Sequence, residues 1–505
     1  MTSKAVSADN SESLDPAAHL MRERSGATVA FAAFASAAGL LQANWVGAPS
    51  LIRLLVICLL LVGVGVTVTS LLSAVASRRG VSAGVAVGIL VFTYFGFLEP
   101  LVPSYSPLEF LVLGVLFSVA CALTTVSLVT RWAVLSNAIF WAVAAMVIMP
   151  LVLLAFRARP AGATMATGLP DVVVVFVDGY AGSETLNEIF GYTNKPFISA
   201  LRRLRFDVVS DARASYSMTY ASLAGVLEMR YVVEAGPLSD QTLRPGVYRL
   251  MQGDNSFVSS MADAGYRYIH VESGWGGTRC GSAPDHCIAA PFLEETVWSY
   301  SQRTALGPMM RVWYGHAFLV DGLDRLEALG KLEMDPTVPE LVVAHILLPH
   351  PPLLLDSSCD HSYEPNLAFM IGGHPNDAVE LKAMRRSAYL EQLECVNSRL
   401  LEVLEGSEFE ESVVVIMGDH GSDSQGQLVT PVANWTDSMI KERMSTITAI
   451  RGCGDGATPE TTINTLRFVQ HCVFGSPYEA LRERRFLVPV AANHPEDNVI
   501  EISVP

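Results

Sequence analysis

Two runs of apolar, largely β-branched residues end in a carboxylate: Val172-Val-Val-Val-Phe-Val-Asp178-Gly179 and Val413-Val-Val-Ile-Met-Gly-Asp419-His420-Gly421. Two acids and a histidine offer oxygen and nitrogen ligands, a set that suits a hard or borderline divalent cation. Zinc is the first expectation and manganese the next, because calcium takes oxygen ligands. A third stretch, Ala214-Ser-Tyr-Ser-Met-Thr219-Tyr-Ala-Ser222-Leu-Ala-Gly225, sets hydroxyls before a run expected to be helical from Ala221 to Met229. A hydroxyl there serves either as an N-cap or as a nucleophile. The helix amides favour anionic oxygen and phosphate-like groups, and a divalent cation beside a hydroxyl lowers its pKa as it does that of water. Each motif also has a plain structural reading: an Asp-Gly turn, a capping acid beside a solvated histidine, a helix cap. No Gly-x-Ser-x-Gly elbow is present after residue 157, so a serine-hydrolase arrangement does not compete there.

The elements that would position these residues alternate in type. After the strand ending at Asp178 come helical stretches near 182–203, a strand near 266–272 and another beginning at Leu341. An amphipathic helix follows over about 382–405, with Tyr389, Leu390, Leu393, Leu400, Leu401 and Leu404 at helical spacing, and then the strand ending at Asp419. Alternation of this kind predicts an α/β domain over 171–505 with a mostly parallel central sheet. Ligands of such sheets collect at the carboxyl ends of the strands, where both acids fall. Residues 157–170 are small, Pro- and Gly-bearing and without period, and read as a linker.

The first third is different in kind. Apolar stretches at about 27–47, 52–76, 82–102, 108–130 and 133–156 each have roughly the 20 residues needed to cross a hydrocarbon core of about 30 Å. They predict a five-helix transmembrane domain over 27–156 behind a cytoplasmic tail, 1–26. Arg22, Arg24, Arg78, Arg79 and Arg131 flank or join the spans on one side, whereas the loop from Glu99 to Glu109 has no base. By the positive-inside rule the N-terminus is cytoplasmic and 157–505 extracytoplasmic, although Arg157 and Arg159 follow the last span on the outer side. The expected location is a bacterial inner or plasma membrane. Cys58 and Cys121 fall within spans; Cys280, Cys287, Cys359, Cys395, Cys453 and Cys472 fall outside, where an even number predicts disulfides. Sequence neighbours are the preferred pairs, 280–287, 359–395 and 453–472. A zinc-cysteine site lacks its Cys-x-x-Cys spacing. The net charge of −16 excludes a nucleic-acid partner that wants a basic face.

Taken together the motifs resemble the alkaline phosphatase and sulfatase superfamily, in its membrane-anchored branch of lipoteichoic-acid synthases and phosphoethanolamine transferases. The resemblance covers the whole order of parts: five spans, a linker, an external α/β domain. It implies that Asp178, Asp419, His420 and Thr219 hold one metal, with Thr219 as the nucleophile. It also implies that Ala344-His345-Ile-Leu-Leu-Pro349-His350-Pro351-Pro352 is a His-Pro loop in which a histidine contacts substrate, His350 before His345. Two-metal members add an Asp-x-x-x-His, which the external part 157–505 lacks, and sulfatases carry Cys or Ser followed by x-Pro-Ser-Arg where this chain has Thr219-Tyr-Ala-Ser-Leu. The first-strand ligand is Asp where many synthases of the branch use Glu. The implied activity is transfer of a phosphoglycerol- or phosphoethanolamine-type headgroup from a membrane phospholipid to an envelope glycan or lipid. Hydrolysis of a phosphorylated envelope component and an inactive membrane scaffold are the alternatives.

Overall fold

In a computed structural model of the chain, the described residues are 168–237, 243–281, 283–289, 322–360, 373–406, 409–454, 458–490 and 498–503, the helix 107–131, and a few isolated positions. That helix, α1 (Pro107–Arg131), coincides with the fourth expected span and exposes Val112, Leu116, Phe117 and Leu123. Its side chains are described over part of its length, and among the described residues no helix is long and apolar enough to cross a membrane. The other four expected spans lie wholly or almost wholly outside the described residues.

The sheet is built on β1 (Val172–Val177) and β7 (Val413–Gly418), each buried from end to end. Side chains that are apolar at every position suit a strand covered on both faces. β1 is central, paired in parallel with β6 (Glu340–Ile346) on one side and β7 on the other. Beyond β6 lie β4 (Arg267–Val271) and then β5 (His286–Ile288), both parallel. Beyond β7 the hand changes: β8 (Ser445–Arg451) is antiparallel to β7, and β2 (Asp207–Arg213) is antiparallel to β8. The seven-stranded order is β2-β8-β7-β1-β6-β4-β5. A small second sheet joins β3 (Gly236–Pro237), β10 (Asn498–Ile502) and β9 (Arg485–Leu487).

Strand alternation sorts the faces. Val173, Val175, Val177, Val342, Ala344 and Ile346 belong to one core with α2 (Ser183–Phe190), α3 (Lys195–Arg203) and α7 (Val379–Gly406). Val172, Val174, Phe176, Leu341, Val343, Val413, Val415 and Met417 belong to the other. That second core is filled by Leu223, Ala224, Val226 and Leu227 of α4 (Thr219–Glu228), with α5 (Leu243–Met251), α6 (Ser256–Asp263) and the C-terminal helix 462–474. Continued by period two, the second face carries Asp178, His345 and Asp419 at the ends of three adjacent strands. α4 covers the same face, so its first residue arrives beside them.

Several elements differ from the sequence reading. The acids stand one residue past their strands. The helical stretches near 182–203 are two helices, as expected, the first ended at Gly191 with φ 67°, whereas the long helix extends to 379–406. β2, β5 and β8 were not read from the sequence. β8 alternates Thr446, Thr448 and Ile447, Ala449, all buried, so its polar half masks a strand of the core.

Disulfides join Cys280 to Cys287, Cys359 to Cys395 and Cys453 to Cys472, the neighbour pairs expected. The second closes a loop with a sequence separation of 36 and ties α7 to the chain after β6. Loop-closure entropy for a ring of that size is worth about 4 kcal/mol. Replacing both Cys359 and Cys395 by Ser is expected to lower unfolding stability by about 2–4 kcal/mol in urea denaturation, with the other two pairs left oxidised.

Candidate metal centre and active site

At the end of β1, Asp178 donates its backbone N–H to Ile346 O (3.0 Å) and accepts from His350 N (3.0 Å), so the β6–loop junction fixes it. Gly179 follows with φ 71°, the left-handed turn that glycine adopts at least cost. Tyr389 of α7 braces this turn: its hydroxyl donates to Gly179 O and accepts from Ala181 N, both at 2.9 Å. At the end of β7, Asp419 Oδ1 accepts from Gly179 N (3.1 Å) and His420 N (2.9 Å). The two strand ends therefore share one hydrogen-bonded knot. Gly421 turns the chain away against the Glu442 carbonyl, too close for any Cβ.

What remains faces inward. Asp178 Oδ1 and Asp419 Oδ2 are buried and have no hydrogen-bond partner. His420 Nδ1 lies 2.9 Å from Gly421 O and so carries the ring proton, leaving a lone pair on Nε2. Nε2 lies 3.1 Å from Asp419 Oδ2 and 3.8 Å from Asp178 Oδ1. The three ligand atoms all fall within 4.8 Å of one another. A lone pair facing two unpartnered carboxylate oxygens in a buried site is electrostatically incomplete, and a divalent cation completes it. The residues fit such a cation.

The charge states of Asp178 and His420 suit a cation, whereas that of Asp419 is one a cation would have to reverse. Burial works against ionised Asp178, but His350, His345 and His420 outweigh it and hold the carboxyl below the usual carboxylate range. Burial, then the charge of Asp178, push the Asp419 carboxyl well above that range. Burial, then Arg443, keep His420 neutral by pushing its pKa well below the ordinary value. A neutral imidazole is the form that binds metal.

Thr219 is the first residue of α4, and its Oγ1 lies 2.9 Å from His420 Nε2. The helix N-cap is Met218, which makes no side-chain cap bond, so Thr219 does not cap the helix. The neighbouring hydroxyls do not cap it either: Ser222 Oγ donates to Asp419 O (2.5 Å) and Ser217 Oγ to Val488 O (3.3 Å). His345 lies within β6 as expected. Its Nε2 sits 3.4 Å from Asp178 Oδ2, while Nδ1 contacts Ser273 Oγ (3.0 Å) and Thr278 Oγ1 (3.2 Å). Alternation makes the strand position an advantage, because it aims the ring at Asp178. His350 is half-buried on the adjoining loop, with Nδ1 2.6 Å from Pro351 O. It lines a pocket with Gly179, Tyr389, Ser422, Asp423 and Arg443. Thr219, Asp178, Asp419, His420 and His345 thus converge, and His350 borders the pocket beside them. The second acid cluster, Glu272 with Cys280 and Cys287, is not a ligand set, because both sulfurs are in a disulfide.

Sequence reasoning missed Arg443 and Asp423. The latter, in Asp419-His-Gly-Ser-Asp423, stood close enough to the motif to be noticed. Burial pushes its carboxyl up to about 7 from 3.8, with Glu442 adding to the rise and Arg443 opposing it. Between those values the folded chain holds a proton that the unfolded chain has lost, so stability falls as pH rises from about 4 to 7 and is level above. Asp423→Asn is expected to flatten that fall by on the order of 3 kcal/mol, read as the difference between denaturation midpoints at pH 5 and pH 8.

No family model and no curated protein matches this chain. Among solved structures it is similar to the integral membrane lipooligosaccharide phosphoethanolamine transferase A from Neisseria meningitidis, at 14% identity over 90% of this chain and 94% of that one, TM-score 0.38. It is similar also to a 2-O GAG sulfatase (13%, 64% and 78%, TM-score 0.40) and to the phosphonate monoester hydrolase of Agrobacterium radiobacter (13%, 63% and 80%, TM-score 0.39). Likeness at this level carries no argument about the reaction, which must come from the site.

Proposed function

We propose that the chain is a metal-dependent phosphoryl-group transferase of the alkaline phosphatase and sulfatase superfamily, anchored in a bacterial plasma membrane with its α/β domain outside. It moves a phosphate-bearing headgroup, of phosphoglycerol or phosphoethanolamine type, from a lipid donor to an envelope acceptor. The observation that carries this reading is the convergence of Asp178 Oδ1, Asp419 Oδ2 and the His420 Nε2 lone pair on the Thr219 hydroxyl. Bound there, zinc (or manganese) supplies Lewis acidity, which lowers the pKa of a hydroxyl and draws charge from a phosphate.

The chain's own groups do the rest. Thr219 Oγ1 releases its proton to solvent and attacks phosphorus; the bond from phosphorus to the lipid alcohol breaks, leaving a phosphothreonine diester. His350, bordering the pocket, protonates the departing lipid oxygen. An acceptor hydroxyl then passes its proton back to His350 and attacks the same phosphorus, and Thr219 leaves and regains a proton from solvent. His345 holds the Asp178 carboxylate, and Tyr389 and Asp419 hold the turn beneath it. Membrane spans would keep a lipid donor at high local concentration.

The reading is tested with full-length protein in detergent, zinc and a phospholipid carrying a labelled headgroup. Diacylglycerol should appear, with the label on the protein or on an added acceptor, and chelation should stop both. No diacylglycerol with zinc, manganese or any headgroup tried would contradict the proposal.

A further inference from the structure

Arg443, near the end of the helix 437–444 that precedes β8, is 2% exposed. Its Nε donates to Ser217 O (2.8 Å), Nη1 to Gly421 O (3.3 Å) and Nη2 to His420 Nε2 (2.9 Å). The first two bonds pin the guanidinium to the loop before Thr219 and to the turn after His420. The third is of another kind, because it uses the lone pair that a cation at this centre would need.

With Nδ1–H given to Gly421 O, His420 Nε2 has one lone pair, and Arg443 Nη2 and Thr219 Oγ1 each lie 2.9 Å from it. A cation held by His420 takes that lone pair and leaves the Nη2 donor without its acceptor. A buried guanidinium N–H without an acceptor is costly. Of the three buried carboxylate oxygens without partners among the described residues, Asp178 Oδ1 and Asp419 Oδ2 are those the cation itself would use, and Asp423 Oδ2 belongs to a carboxyl that burial raises to about 7. The freed donor is anchored on both sides, borders the pocket that Gly179 and His350 line, and stands next to the Thr219 oxygen. Arginine's planar fork matches phosphate oxygens.

We infer that Arg443 is an oxyanion-binding residue, whose Nη2 hydrogen-bonds a non-bridging oxygen of the phosphoryl group at Thr219 once the cation occupies His420. This rests on the proposed function, and its test separates the two. Inorganic phosphate is titrated calorimetrically into zinc-loaded full-length protein, wild type and Arg443→Lys, with zinc affinity measured in parallel by chelator competition. The expected result is at least a tenfold loss of phosphate affinity in the variant, with zinc affinity changed less than threefold. Equal losses of both would assign Arg443 to positioning His420, and an unchanged phosphate affinity would remove it from the site; either overturns the inference alone. A wild type that binds zinc but no phosphate overturns the phosphoryl reading as well. Should Arg443→Lys fail to fold, a crystal structure of the wild type with zinc and phosphate decides. Nη2 on a phosphate oxygen supports the inference, and a phosphate without an Arg443 contact overturns it.

Discussion

Thr219→Ala is expected to reduce transfer by about 10⁴-fold or more, the scale seen when a covalent nucleophile is removed. The change should leave the fold and the metal site in place. Thr219 does not cap α4, since the N-cap is Met218, so no helix-terminal hydrogen bond is lost. The side chain is half-buried, reaches His420 Nε2 and interacts with the Asp419 carboxyl. The cost to stability should stay within about 1 kcal/mol, and zinc affinity, with Asp178, Asp419 and His420 still in place, should fall far less than the rate. Thr219→Ser keeps the oxygen and should restore most of the lost rate. The check is initial rates of diacylglycerol release for both variants, with metal content measured on the same samples. Loss of activity in Thr219→Ala together with loss of zinc would mean that the hydroxyl serves the metal site without attacking phosphorus.

Asp419→Asn is expected to act in opposite directions on the metal-free and the metal-loaded protein. Without metal, burial and the charge of Asp178 push the Asp419 carboxyl well above its ordinary value, and Oδ2 has no partner. The wild type therefore loses stability as pH rises above the ordinary carboxylate range, because the folded chain retains a proton that the unfolded chain releases. Asparagine preserves the Oδ1 acceptor that Gly179 N and His420 N use and carries no charge, so the metal-free variant should equal or exceed the wild type, by about 1–2 kcal/mol at neutral pH. With zinc the order reverses. A ligand at a thousand times its dissociation constant stabilises the folded state by about 4 kcal/mol, and the variant should lose nearly all of that gain. Protons compete for the same ligands, so the wild-type gain should also shrink as pH falls. Denaturation curves with and without zinc, at two pH values, read the whole pattern. A variant that keeps its zinc-dependent gain would show that Asp419 is not a ligand.

Much of this site was legible because strand alternation is strict. Once Val172 and Val413 begin buried strands, residues 178 and 419 share a face with 172, 174, 176 and with 413, 415, 417. The strand near 341 puts His345 on that face by the same count. The sequence reading ranked His345 below His350 for lying within a strand, although a strand position was what could aim it at Asp178. The antiparallel edge was hidden in Thr446 and Thr448, whose burial depends on neighbours far away in sequence. Arg443 was the least legible. In Asp437-Ser-Met-Ile-Lys-Glu-Arg443-Met it reads as one more charge on a solvated helix, although Glu442 and Arg443 are both buried. Only the fold brings Ser217, Gly421 and His420 around its guanidinium.

The most direct test of the central claim is to find the phosphorylated threonine itself. Full-length protein loaded with zinc is mixed with phospholipid in the absence of acceptor, quenched in acid, digested, and mapped by mass spectrometry. The account predicts a headgroup-phosphate adduct on Thr219, absent after chelation and absent in Asp419→Asn. An adduct on another residue, or product formation with no adduct on Thr219 at any quench time, would contradict it.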